Sequence, residues 1–156
     1  MHVYLVQHGA AKSAAEDPNR GLSDAGRRDI ERMAEFLAPR QLSLDRIEHS
    51  EKLRARQTAE ILAVPLRPSE GTHEVAGLAP HDDVEAVFGR LQQGSKNLML
   101  VGHLPHLSHL VSRLLGLDSN RSIVRFQMGG VVRLDRDEAA LWGLRWVFPP
   151  ELLPPH

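Results

Sequence analysis

Two histidines and one arginine could do chemistry together, because of what precedes each of them. His8 follows the alternating run His2 to Val6 and is itself followed by Gly9. His103 follows the apolar run Asn97 to Val101, and Ser50 and Arg54 follow a third short run, Leu44 to Glu48, where a helical pattern begins. A β-rich run that breaks at glycine or polar residues reads as a strand ending in a loop. In open α/β sheets, ligands bind beyond the carboxyl ends of the strands, where helix N-termini also present N–H groups to anions. Parallel neighbouring strands would bring His8, His103 and Arg54 to one edge of such a sheet. A guanidinium is a fixed, bidentate ligand for phosphate. A neutral imidazole can attack phosphorus, and a second imidazole can donate a hydrogen bond to the equatorial oxygens. The combination points to phosphoryl chemistry, with His8 as nucleophile.

The elements that must position these groups follow from the hydrophobic pattern. His2–Val6 is a strand and Ala10–Gly21 a polar loop. Ser23 is suited to cap a helix over Ala25–Ala38, whose Ile30, Met33, Ala34 and Leu37 fall at helical spacing. A short strand over Leu44–Glu48 leads to a helix over Leu53–Leu62, and Thr72–Val75 is a further short strand. Asp82 is placed to cap a helix over Val84–Gln92. Asn97–Val101 has the apolar character of a strand buried on both faces, and the helix after Pro105 ends at Gly116. Val131–Leu134 and Leu141–Val147 make a terminal hairpin around Asp135–Glu138, and the proline-rich tail from Pro149 is extended coil. Alternating strands and helices predict an α/β fold, a three-layer αβα sandwich with a mostly parallel central sheet and the C-terminal hairpin at its edge.

Composition narrows the function classes. The chain has 156 residues, enough for one domain, and its 42% hydrophobic content is that of a soluble globular protein. Nineteen Lys and Arg balance twenty Asp and Glu, so net charge favours neither nucleic acid nor an acidic membrane as partner. There is no cysteine, which removes disulfides, thiolate nucleophiles and cysteine-based zinc sites. The N-terminus is a poor signal peptide and no apolar segment approaches the ~18 residues that span a bilayer, so a cytoplasmic protein is expected.

Four segments carry a family resemblance. Leu5-Val6-Gln7-His8-Gly9 resembles the Arg-His-Gly signature of the histidine phosphatase superfamily, which has the phosphoglycerate mutase-like fold. Arg20-Gly21-Leu22-Ser23-Asp24-Ala25-Gly26 is similar to its Arg-Pro-Leu-Thr-x-x-Gly segment, and Ser50 to Thr58 to its Ser-Pro-x-x-Arg-Ala-x-Gln-Thr block. Leu100-Val101-Gly102-His103-Leu104-Pro105 resembles the segment that bears the second catalytic histidine. The segments occur in family order. The short length leaves no room for a cap domain, and Met128 to Leu134 with Leu144-Arg145-Trp146 looks like the closing hairpin of the SixA-type phosphohistidine phosphatases.

The resemblance implies a single domain over residues 1–148 with a tail over 149–156. It also implies a covalent phosphohistidine on His8, a phosphate ligand in Arg54, and in His103 the group that stabilises the transferring phosphoryl. Gln7, Gly9, Arg20 and Lys12 are then phosphate-binding candidates. No metal or other cofactor is called for. The partner is a phosphorylated substrate, with a phosphohistidine-bearing signalling protein as the specific expectation.

Two departures bear on mechanism. Gln7 stands where the family has Arg; an amide still donates hydrogen bonds but carries no charge, and Lys12 or Arg20 would have to supply it. In Val75 to Pro80, where family members with a general acid carry Glu or Asp, the position before Leu78 is Gly77. A protonated imidazole leaves phosphorus readily (free pKa ~6.5), whereas an alkoxide needs an acid. The sequence therefore leans towards a phosphoramidate substrate. Three other readings stand beside this one. Gln7 favours a domain that binds a phospho-ligand without turning it over, and a small-molecule phosphomonoesterase shares the same chemistry. His103, His106 and His109 suggest a metal hydrolase, but on a helix His103 and His109 would diverge by about 120°, and no H-E-x-x-H motif accompanies them.

Overall fold

Val3 to Val6 are completely buried, as expected of a strand covered on both faces, and this strand is an organising element of the sheet. In the computed structural model, which describes residues 1–118 and 121–155, it spans His2–Gln7 (β1). Arg46–His49 (β2), Thr72–Glu74 (β3) and Leu98–Gly102 (β4) run parallel to it in the order β3-β2-β4-β1. Val131–Arg136 (β5) pairs antiparallel with β1, and Trp142–Phe148 (β6) closes the hairpin at the edge.

Alternation along β1 divides the core in two, because successive side chains point to opposite faces. Tyr4 and Val6 pack with Ile30, Met33 and Leu37 of helix Asp24–Leu37 (α1) and Ala55, Ala59 and Leu62 of helix Leu53–Leu66 (α2). Val3 and Leu5 pack with Val87 and Leu91 of helix Glu85–Gln93 (α3) and Leu107, Leu110 and Leu114 of helix His106–Leu114 (α4). The result is the three-layer αβα sandwich expected, without a cap domain.

Element boundaries differ from expectation where local chemistry was misassigned. Ser23 caps α1 as read, its Oγ accepting from Gly26 N at 3.0 Å. Asp82 does not cap α3: its carboxylate folds back onto Ala79 N (2.9 Å), and Asp83 accepts from Glu85 N (3.0 Å) instead. Helix α2 continues one turn beyond Leu62 to Leu66 and accommodates Pro65 in its last turn, just before Arg67 enters the left-handed region at φ 50° and ends it. The hairpin turn falls at Asp137, which accepts from Ala139 N and Leu141 N, rather than from Asp135 onward. The tail is not simply extended. Pro150–Leu152 forms one 3₁₀ turn, Leu153 is buried against the α1–α2 layer, and Arg32 donates to Pro154 O at 2.8 Å. His156 lies outside the described residues.

One contact seats the loop after β1. Gly26 in α1 lies so close to this loop that an added Cβ would stand 2.0 Å from Ala10 O, and a Cβ on Gly9 would stand 2.9 Å from Ile30 Cγ1. Gly26 therefore does more than start a helix: it lets α1 press directly on the loop that carries His8. Gly26→Ala is expected to cost at least about 1–3 kcal/mol, the usual range for overpacking. A urea titration that finds wild-type stability would show that the loop can yield.

Candidate active site

The parallel register brings three chain segments to one level. Gln7 pairs with Gly102 and His49 with Val101. His8 N then donates to Gly102 O (3.1 Å) and Ser50 N to Val101 O (3.3 Å). His8, Ser50 and His103 thus leave the sheet side by side at its carboxyl edge, and the His8 and His103 ring centroids are 4.9 Å apart.

Each imidazole is oriented by a neighbour. His8 Nδ1 is 2.7 Å from Gly9 O, so that nitrogen carries the proton and donates, leaving Nε2 with its lone pair. His103 is buried, with Nε2 2.6 Å from Ser50 Oγ and Nδ1 without a protein partner. When the Ser50 hydroxyl donates to Nε2, the His103 proton resides on Nδ1, free to be given to a ligand. Ser50 Oγ also accepts from Lys52 N at 3.3 Å, which holds the hydroxyl in place.

Thr58, which the sequence reading quoted only within a motif, ties the two halves of the site together. Its Oγ1 accepts from Gly9 N (3.0 Å) and donates to Arg54 O (2.8 Å), while Gln57 Oε1 accepts from Leu22 N (2.7 Å). Helix α2 is thereby fastened to the His8 loop and to the loop that follows it. The Gly9 N–H is taken by Thr58, and the absence of a Gly9 side chain permits the close approach of Ile30. Gln7 retains a buried Oε1 with no partner, and its backbone oxygen accepts from Gly129 N at 2.8 Å.

The charges divide unequally. Burial, then the guanidinium of Arg20, lowers the pKa of Arg54. Burial also pushes the His8 imidazole below its ordinary value, with Arg54 and Arg20 adding to the effect against the opposing hydrogen bond from Gly9. Lys12 acts on a different pair of groups. Glu16 and Asp17 are held below the usual carboxylate range, chiefly by hydrogen bonds from Ser13 and from the Gly21 and Asn19 amides respectively, and secondarily by Lys12. Arg20 is therefore the loop cation that acts on the imidazoles' pocket. Its Nε donates to Lys12 O at 3.3 Å, so its charge has no carboxylate in that contact. Lys52, which the sequence reading passed over, acts on His103; its position just before Arg54 was the available signal.

The three histidines after β4 do not make a metal centre. His103 precedes α4, His106 is completely buried within it with neither ring nitrogen hydrogen-bonded, and His109 is exposed. Among the described residues no group of three or more His, Cys, Asp or Glu is arranged to hold a metal ion, and no helix is long and apolar enough to cross a membrane.

His103 is pushed down to about 3, first by burial and then by His8, Arg54, Lys52 and His106. Between about pH 6.5 and that value the unfolded chain binds a proton that the folded chain refuses, so this group lowers stability as pH falls through the window. Proton NMR of the free protein should find His103 neutral at pH 5. A His103 signal titrating near 6.5 would contradict the burial argument.

Residues 3–79 match the family described as the histidine phosphatase superfamily (branch 1). The phosphohistidine phosphatase SixA of Escherichia coli (strain K12) is 28% identical over 155 residues, 96% of this chain and 94% of its own. An uncharacterised protein of Picosynechococcus sp. is 36% identical over 115 residues, 69% of this chain and 68% of its own. The structure of the protein histidine phosphatase SixA complexed with tungstate has a TM-score of 0.87 to this one at 27% identity, covering 99% of this chain and all of that one.

Proposed function

The chain belongs to the histidine phosphatase superfamily and is a phosphatase of that type, and from this premise we propose that it hydrolyses phosphohistidine on a cytoplasmic signalling protein, with His8 as nucleophile. The observation that carries the reading is the Nδ1–H to Gly9 O bond, which fixes the His8 tautomer and leaves the Nε2 lone pair beside a second neutral imidazole and an arginine. The tungstate held by the similar SixA structure supports a tetrahedral oxyanion as the kind of ligand this fold takes.

In the first step His8 Nε2 attacks phosphorus in line, a P–N bond to His8 forms, and the P–N bond to the substrate imidazole breaks. The departing imidazole leaves as the neutral base because its other nitrogen was protonated beforehand. The Arg54 guanidinium and the His103 Nδ1–H hold the equatorial oxygens, and the Gln7 amide adds an uncharged donor. Arg20 supplies positive charge that Gln7 lacks. In the second step water attacks phosphorus, the bond to His8 breaks, and inorganic phosphate leaves with the protons of the water. Catalysis rests on position and on charge already in place before the reaction.

The loop that carries a general acid in other family members supports a P–N substrate. Gly77 stands at φ 93° without a side chain, and the Asp82 and Asp83 carboxylates accept from backbone amides nearby. A simple alkyl ester would have to leave as an alkoxide without help.

Incubation with a ³²P-labelled phosphohistidine protein should trap an acid-labile, base-stable phosphoenzyme, absent in His8→Ala, and turnover should exceed that of simple phosphomonoesters. Substantial activity in His8→Ala would sink the mechanism; phosphate binding without any turnover would leave a binding domain in its place. Gln7→Arg should raise phosphate affinity by about tenfold, the worth of one charge-assisted hydrogen bond. Reduced affinity and rate together would mean that Gln7 is matched to Arg20 and that no charge is missing.

A further inference from the structure

We infer that the cavity beside Arg54 is a subsite for a second oxyanion of the substrate, next to the scissile phosphoryl, and that Lys52 is its specificity-determining residue. The inference rests on the proposed phosphatase chemistry and adds what the substrate must carry beside its phosphoryl group.

The cavity has a volume of about 620 Å³, within the ~300–1,000 Å³ of small-ligand sites and well beyond what one phosphoryl group fills. Its charged wall is Arg20, Lys52, Arg54 and Arg56 against Glu51 and Glu74. The pairing of these groups decides which are available. Arg56 is held by Glu60, one helical turn away, at 2.9 Å. Arg20 lies close enough to disfavour the charge on Arg54, an effect that Glu51 offsets less strongly. Lys52 is 3.8 Å from its neighbour Glu51, with both side chains about half exposed, a separation at which a surface pair holds the ammonium loosely. Two like charges set side by side cost free energy in the empty protein and are relieved by an anion. The phosphoryl group seated on Arg54 and the imidazoles answers only part of that charge.

Lys52 reaches both sites. Its charge bears on His103, and it also lines the cavity beside Arg54. Its backbone N–H, not its ammonium, supports Ser50, so the side chain can be changed without removing the hydrogen bond that holds the Ser50 hydroxyl. A mobile ammonium is suited to an oxyanion whose position varies among substrates, where a guanidinium would demand one geometry. On a phosphoprotein, that oxyanion is an acidic side chain flanking the phosphorylated histidine. On a small molecule it is a second phosphate.

Calorimetry with pyrophosphate and orthophosphate reads the subsite without catalysis. Pyrophosphate should bind the wild type about tenfold more tightly than orthophosphate. Lys52→Gln should lose most of that advantage, weakening pyrophosphate far more than orthophosphate, and Lys52→Arg should keep it. Phosphohistidine peptides with Asp or Glu beside the phosphorylated residue should then show lower KM than Asn or Gln counterparts, with kcat unchanged and the difference abolished in Lys52→Gln. If pyrophosphate shows the advantage and the peptides do not, the second anion is that of a small molecule. Equal binding of the two anions, or an advantage that survives in Lys52→Gln, overturns the subsite. Should no phosphohistidine peptide be turned over while pyrophosphate still binds preferentially, the catalytic reading fails and the subsite stands.

Discussion

The parallel pairing of β1 with β4, and of β4 with β2, is the constraint from which the site follows. Its register sets Gln7 opposite Gly102 and His49 opposite Val101. The next residue in each strand direction is then the one with chemistry to offer. A slip of one residue would turn Tyr4 and Val6 towards the layer now filled by α3 and α4, and every other side chain of β1 with them. The two apolar layers therefore hold the register, and the register holds the imidazoles 4.9 Å apart.

Burial tunes those imidazoles. Both pKa values are lowered first by loss of solvent and then by neighbouring cations, so neither ring is charged near neutral pH. The Nε2 lone pair that the proposed role of His8 requires is kept in two ways: His8 is disfavoured as a cation, and its Nδ1 proton is committed to Gly9 O. The same cations that suppress protonation of His8 are those that attract an anion. One electrostatic arrangement thus suits both an anionic ligand and a neutral imidazole, with Arg20 beside Arg54 and both acting on His8.

Some of this was legible in advance for a clear reason. Strand ends followed by Gly or a polar break are local signals, which is why the sequence alone places His8, Ser50 and His103 at one edge. The sequence does not distinguish Lys12 from Arg20, because which groups a loop cation acts on is a property of the folded loop: the charge of Lys12 bears on Glu16 and Asp17, that of Arg20 on Arg54 and His8. Nothing local reveals that the Gly9 N–H donates to Thr58, a residue distant in sequence. Asp82 and Asp83 are adjacent and chemically alike, and only the turn at Ala79 decides which one reaches the first amide of α3. The tail's prolines hid a buried Leu153, whose apolar partner surface is made by helices far along the chain.

By itself, the sequence determined the order and type of the elements, the division of each into buried and exposed faces, and the presence of His8, Arg54 and His103 at their ends. Those features depend on periodicity and on single residues with strong local preferences. Tertiary structure alone decided the tautomer of His8, the serine that orients His103, the loop cation that faces the pocket, and the cavity beside Arg54. Each of these depends on groups brought together from separate strands and helices, and hydrogen bonds and charges act over a few ångströms of space, irrespective of distance along the chain.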